Sequence, residues 1–227
     1  MITQFTNFTT NNQVQEPSLQ DKVIHEYLGV FERKMMIFEN YWNGEFFSDL
    51  KNQSVKPFLE NIGILIGEKV TVGHRFVDST DSLSSYLKTP GTIWETPESW
   101  GCQVWYFGFH GRKKGIEFPN QIITHDELLD IFSSNFHDFP NILYFSSCNL
   151  FKNEDFGWEL LEKSGTRGIL GFKKKVGYGI GTLIDLLFLF GFFNFKEDDP
   201  FNYIEIFYDM VIKELPISKE LGFTLFH

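Results

Sequence analysis

Residues 104–115 read VWYFGFHGRKKG, in which an unbroken apolar segment stops at His110 and Gly111 and is followed by three cations. A run that is apolar at consecutive positions is typical of a central parallel strand, because helices cover both faces of such a sheet. A second run of this kind, NILYFSSC (residues 141–148), ends at Cys148. The sequence therefore predicts two buried strands that each carry a reactive side chain to their carboxyl end.

Segments with helical spacing alternate with the predicted strands along the chain. Strands are predicted at residues 34–42, 70–78, 103–109, 141–148 and 166–176, and helices at residues 21–33, 54–69, 79–89, 124–136, 156–165 and 180–195, with a last helix in 196–210. Thr124 and Glu127 form a capping box that starts one helix, and Gly165 ends the next. This order predicts an α/β fold, a three-layer sandwich with a mainly parallel sheet of about five strands flanked by helices.

The length, net charge and cysteine count limit the class of protein. A chain of 227 residues is long enough for one sizeable domain, which we assign to residues 21–227, after a flexible arm at residues 1–20 that is rich in Asn, Thr and Gln. The net charge of −10 argues against nucleic-acid binding through a basic face. Two cysteines give neither a disulfide framework nor a zinc motif, and we see no other ligand cluster, so we expect no metal and no cofactor.

Localisation is predicted from what the sequence lacks. The first 21 residues contain no Lys or Arg and no continuous apolar core, which argues against a secretory or transit signal. Residues 180–195 are strongly apolar, but Asp185 and Gly191 interrupt a segment shorter than the about 20 residues that span a membrane. We expect a buried core helix there, no membrane partner, and a cytoplasmic protein.

The two strand ends contain residues suited to nucleophilic catalysis. The carboxyl ends of parallel strands meet at one edge of a sheet, where ligands and reactive groups gather. A cysteine nucleophile needs a histidine to handle the proton, so His110 and Cys148 are candidate partners. Gly111 has no Cβ and lets a carbonyl approach its amide, so the Gly111 and Cys148 amides are candidates for an oxyanion hole.

With these two motifs, YFGFHG and LYFSSC, the sequence resembles the caspase-like cysteine peptidases, a group that includes caspases, metacaspases, separase and the bacterial CHAT peptidases. In that group one strand ends in His-Gly and the next ends in the cysteine, with a helix between. The resemblance covers about residues 33–195. The separation of His110 from Cys148 is shorter than the about 50 residues of caspases, and SSCNL departs from their Q-A-C-x-G signature.

The resemblance implies a caspase-like fold and a cysteine endopeptidase in which Cys148 is the nucleophile and His110 protonates the leaving amine. It implies a protein or peptide substrate, a bacterial source, a role in defence or death signalling, and an activating or sensor protein as partner. Cations near the strand ends would suit an acidic P1 residue, although cations there are commonly just solvated. The candidate substrate-binding residues are Arg112, Ser146, Ser147, Lys173 and Lys175.

Other interpretations of the same residues stay open. Cys148 alone reads as a buried structural thiol, and the same fold with a disabled site would be a scaffold or binding module. Residues 177–181, GYGIG, favour a dinucleotide site only weakly, because a Gly-x-Gly-x-x-Gly register meets Thr182 at its last position. Ser146 and Ser147 lack the Gly-x-Ser-x-Gly elbow of a serine nucleophile.

Overall fold

The computed structural model describes residues 34–40, 55, 61, 71–88, 103–118, 120–133, 142–195 and 199–227. These residues belong to one compact unit. Three of the sequence predictions lie outside the described residues: the arm at 1–20, the helix at 21–33 and, apart from positions 55 and 61, the helix at 54–69.

Nine strands are defined within the described ranges. They are β1 (Lys34–Glu39), β2 (Thr71–Phe76), β3 (Val104–Gly108), β4 (His110–Arg112), β5 (Gly115–Phe118), β6 (Gln121–Thr124), β7 (Ile142–Ser146), β8 (Gly168–Phe172) and β9 (Phe223–Phe226). Six of them form the central sheet in the order β2-β1-β3-β7-β8-β9, and the other three form a small sheet. All neighbouring pairs of the central sheet are parallel except β8 and β9.

Helices cover both faces of the central sheet. They are α1 (Thr80–Lys88), α2 (His125–Ser133), α3 (Glu154–Ser164), α4 (Tyr178–Asn194), α5 (Pro200–Glu214) and α6 (Pro216–Glu220), with a 3-10 helix at Leu150–Lys152. Side chains of α1, α2 and α3 enter the apolar core on one face, and side chains of α4 and α5 enter the core on the other. The predicted three-layer α/β sandwich with a mainly parallel sheet is confirmed.

Successive side chains of β3 enter the cores on opposite faces of the sheet, which explains why this strand is apolar throughout. Trp105 and Phe107 enter the core beneath α1–α3, whereas Val104 and Tyr106 enter the core beneath α4 and α5. Phe107 stacks on Phe145 of β7 with ring centroids 4.7 Å apart. Paired aromatic rings of this kind add about 0.5–1.5 kcal/mol beyond the area they bury, so the phenylalanines join the central strands to one another.

Local signals in the sequence correctly place two helix boundaries. The Glu127 carboxylate accepts hydrogen bonds from the Thr124 amide at 2.7 Å and the Thr124 hydroxyl at 2.9 Å. Gly165 adopts a left-handed φ of 67° and donates its N–H to the Leu161 carbonyl at the end of α3. A residue with a Cβ is strained in that region, which explains the glycine.

Two features were not predicted from the sequence. The small antiparallel sheet β4-β5-β6 follows directly after β3, in a segment to which the sequence assigned no helix or strand. Strand β9 adds an antiparallel edge to the central sheet, which therefore has six strands where we expected about five. Both features consist of strands of three or four residues, too short for an alternating pattern to stand out.

Helix α4 is the strongly apolar segment, and its single acidic residue is buried in it. Asp185 is 4 % exposed and accepts hydrogen bonds from Tyr106 at 2.9 Å, Tyr144 at 2.5 Å and the Ser146 hydroxyl at 2.6 Å. Burial raises the pKa of Asp185 to about 6, against the lowering effect of these hydrogen bonds. No helix in the described part of the chain is long and apolar enough to cross a membrane.

Asp185→Asn should change how stability depends on pH. Between pH 3.8 and 6 the folded chain holds a proton on Asp185 that the unfolded chain has lost, so stability falls as pH rises through this window. The unfolding free energy of Asp185→Asn relative to wild type should therefore rise by up to about 3 kcal/mol from pH 4 to pH 7. Urea denaturation at several pH values measures this difference.

The matched control is Asp209→Asn, which removes an exposed carboxylate from the neighbouring helix α5. For Asp209→Asn we expect the difference in unfolding free energy from wild type not to change with pH. The same result for Asp185→Asn would contradict a protonation change at the buried site.

Candidate active site

The paired strands β3 and β7 carry His110 and Cys148 to the same edge of the sheet. Gly108 at the end of β3 pairs with Ser146 at the end of β7 in parallel register. His110 and Cys148 each lie two residues beyond that pair, so they occupy equivalent positions after two adjacent strands. The imidazole is exposed, and Cys148 is partly exposed.

Gly111 packs directly on the backbone of Cys148. A Cβ atom at position 111 would lie 2.0 Å from the Cys148 carbonyl oxygen and 2.7 Å from its amide nitrogen. No real side chain fits within such distances, so only glycine allows this approach. The structure thus brings together the two residues whose amides are the predicted oxyanion donors, in segments that touch.

The thiol of Cys148 is held by the backbone of Val176. The Val176 amide donates to Sγ at 3.3 Å, and Sγ in turn donates to the Val176 carbonyl at 3.4 Å. Within the described residues both hydrogen bonds of this thiol go to Val176. A thiolate would keep the amide donor, which is the kind of interaction that stabilises a negative sulfur.

The turn after Cys148 is sharp. Asn149 has a left-handed φ of 58°, a conformation that asparagine tolerates better than most residues. Its amide donates to the Lys174 carbonyl at 3.0 Å, which ties the turn to the segment after β8. The strained turn directs the chain into the 3-10 helix at Leu150–Lys152 and leaves Cys148 at the sheet edge.

His110 lies on the small sheet opposite a carboxylate. In the antiparallel pair β4-β5, His110 faces Glu117, and Arg112 lies two residues further along on the same exposed face. The Arg112 Nε donates to Glu117 at 2.6 Å. That hydrogen bond, together with the charges of Arg112 and His110, lowers the pKa of Glu117. Glu117 was not predicted from the sequence, because only the hairpin register brings it opposite His110.

Ser146 and Ser147, the predicted lining residues before the cysteine, are both buried. Ser146 donates to Asp185 and so belongs to the polar cluster beneath α4. The Ser147 hydroxyl has no hydrogen-bond partner among the described residues. A substrate would reach either hydroxyl only after the surrounding side chains moved.

The predicted substrate-binding cations differ in their surroundings. Arg112 is ion-paired with Glu117, and Lys173 lies 3.0 Å from the Glu154 carboxylate. Lys175 is exposed and, within the described residues, forms no ion pair. Of the three, Lys175 is the cation that a substrate carboxylate could meet without displacing a carboxylate of the chain itself.

Strand β1, which pairs with β3 on the side opposite β7, ends at Glu39, a buried carboxylate with a histidine partner. Glu39 is 2 % exposed, pairs in register with Gly108, and lies 2.9 Å from the His74 Nε2 atom. Its second carboxylate oxygen accepts from the Val55 amide at 2.9 Å. These contacts satisfy Glu39 and give His74 a structural partner.

The remaining motifs add no metal or cofactor ligand set. In the described part of the chain no three His, Cys, Asp or Glu side chains are grouped to hold a metal ion. The glycines of GYGIG lie at the start of α4, where Gly177 is the N-cap and Gly179 and Gly181 belong to the first turns.

Comparison with known proteins gives a family but no activity. Residues 37–227 match a family of unknown function, DUF6642. The match covers most of the chain, which therefore belongs to this family. No curated protein matches the sequence.

Gly111→Ala should disturb the Cys148 turn selectively. The methyl group would overlap the Cys148 backbone, so we expect the unfolding free energy to fall by about 1–3 kcal/mol. We also expect slower alkylation of the Cys148 thiol. Urea denaturation and timed alkylation read by mass spectrometry measure the two effects.

Gly177→Ala is the matched control, because a Cβ there has no atom within 4 Å and the backbone φ of −68° suits any residue. It should alter stability by no more than about 0.5 kcal/mol. Equal effects of the two substitutions would contradict a specific contact between Gly111 and Cys148.

Proposed function

We propose that this member of the DUF6642 family is a cysteine endopeptidase, with Cys148 as nucleophile and His110 as its acid-base partner. The substrate is a protein or an extended peptide. We further propose that the fold is caspase-like, in line with the His-Gly and Cys motifs at adjacent strand ends.

The observation that carries the proposal is the contact between Gly111 and the Cys148 backbone. If Cys148 were only a structural thiol and His110 only an unrelated strand-end histidine, neither role would require residue 111 to lack a side chain. An acyl-transfer site has a use for this approach, because the nucleophile and two amides must surround one carbonyl group. The short distances from position 111 to the Cys148 backbone hold together the two segments that contain these amides, which supports the proposal.

The proposed reaction follows the chemistry of these groups. The Cys148 thiolate attacks the scissile carbonyl, and the Gly111 and Cys148 amides bind the oxyanion of the tetrahedral intermediate. His110 gives a proton to the leaving amine, which leaves a thioester on Cys148. Water then attacks the thioester, with His110 taking a proton from it, and the thiolate returns.

Residues around the dyad support individual steps. The Val176 amide, 3.3 Å from Sγ, favours the negative sulfur before attack. Glu117 faces His110 across the hairpin and can orient its imidazole. Lys175 is the candidate cation for an acidic P1 residue, since Arg112 and Lys173 already have carboxylate partners.

The setting of the activity is also a proposal. The small number of cysteines favours a reducing compartment, and we propose the cytoplasm. By the resemblance to caspase-like peptidases, we propose a role in bacterial defence or death signalling, with an activating protein that triggers cleavage.

A second candidate function is supported by the resting hydrogen bonds of the thiol. The Cys148 S–H donates to the Val176 carbonyl, an arrangement that suits a thiol held inactive. On this alternative the chain is a catalytically silent scaffold or binding module with the same fold.

Labelling with a peptidyl electrophile separates the two functions. We expect rapid labelling of wild type, none in Cys148→Ala, and a rate reduced about 100-fold in His110→Gln, because the histidine supplies acid-base catalysis. In-gel fluorescence with probes bearing Asp, Arg or Leu at P1 measures labelling and P1 preference together.

Cys102→Ala removes the only other cysteine of the sequence and serves as the control, with full labelling expected. Slow labelling of both cysteines at equal rates, unaffected by His110→Gln, would contradict the peptidase and favour the silent module.

A further inference from the structure

We propose that a cavity next to the candidate active site binds a small polyphosphate anion. The cavity has a volume of about 720 Å³, within the range of small-molecule sites. Its lining among the described residues consists of Lys113, Lys114, Thr124, His125, Asp126, Lys152 and Asn153.

Three ammonium groups border the cavity without carboxylate partners. Within the described residues Lys113, Lys114 and Lys152 form no ion pair. Other cations of the described residues differ: Arg112 pairs with Glu117 and Lys173 pairs with Glu154, whereas Lys175 also forms no ion pair. The cavity lysines stand out because three of them line one cavity in a chain of net charge −10. The local charge is thus opposite in sign to that of the chain.

The backbone adds to this positive character. Asn153 is the N-cap of α3, and its side chain makes no capping hydrogen bond. The first amides of a helix carry a partial positive charge, which favours an anion, although Glu154 and Asp155 in the first turn of α3 offset part of it. His125 also lines the cavity, and its Nε2 atom makes no hydrogen bond within the described residues.

The charge balance indicates the class of ligand. Three lysines against the single lining carboxylate of Asp126 leave an excess of about two positive charges in the described lining. A single acidic side chain carries only one negative charge, whereas a pyrophosphate or triphosphate group carries three or four and offers many acceptor oxygens. A polyphosphate group therefore matches the cavity in charge and hydrogen-bonding capacity.

Calorimetric titration of the full chain with tripolyphosphate tests the proposal. We expect saturable binding that weakens as salt is raised, because exposed charges are screened. Lys152→Gln should weaken the affinity at least fivefold, and Lys113→Gln/Lys114→Gln/Lys152→Gln should abolish measurable binding. The control is Lys163→Gln, which removes an exposed lysine from the far end of the same helix α3 and should leave the affinity unchanged.

Titrations with other ligands identify the source of the phosphate group. Tighter binding of ATP than of tripolyphosphate supports a nucleotide, and equal binding supports a bare polyphosphate. The proposal is overturned if neither binds, if all lysine variants bind like wild type, or if hexaglutamate binds while tripolyphosphate does not. The titration requires no peptidase activity, so its failure and a failure of the proposed function are separate results.

Discussion

The backbone contact between Gly111 and Cys148 is the constraint on which the candidate site depends. Parallel pairing places β3 and β7 side by side, but the pairing ends at Gly108 and Ser146. Beyond that point β3 is followed by the small antiparallel sheet, and β7 is followed by the turn at Asn149. The missing side chain at position 111 allows the two departing segments to touch after the strands have ended, so the residue next to His110 lies against the Cys148 backbone.

Beneath this contact the sheet carries a polar cluster within an apolar interior. Asp185 of α4 accepts three hydroxyl donors from β3 and β7, and one of them is Ser146, two residues before Cys148. A buried carboxylate is tolerable only when its hydrogen bonds are satisfied, so the two tyrosines and the serine are required where they stand. The cluster fixes α4 against the strands that position the site, which explains an acidic residue in an otherwise apolar helix.

The sequence predicted the parts of the structure that have strong local signals. Long doubly apolar runs gave β3 and β7, and the Thr124 and Glu127 pair gave the start of α2. The hairpin β4-β5 was missed because strands of three and four residues are too short to show an alternating pattern, and Glu117 was missed with it. The burial of Ser147 depends instead on tertiary packing. The cavity beside Lys113 and Lys152 is non-local as well, since it joins segments about 40 residues apart.

His125 connects the two segments that define both the site and the cavity. Its amide donates to the Lys114 carbonyl in the turn after His110. Its ring stacks on Phe156 with centroids 4.0 Å apart. Burial lowers the pKa of His125, and the Leu150 backbone acts in the opposite direction. A histidine that appeared in the sequence to be only a helix-start residue thus joins the turn after the candidate base to helix α3, which follows the candidate nucleophile along the chain.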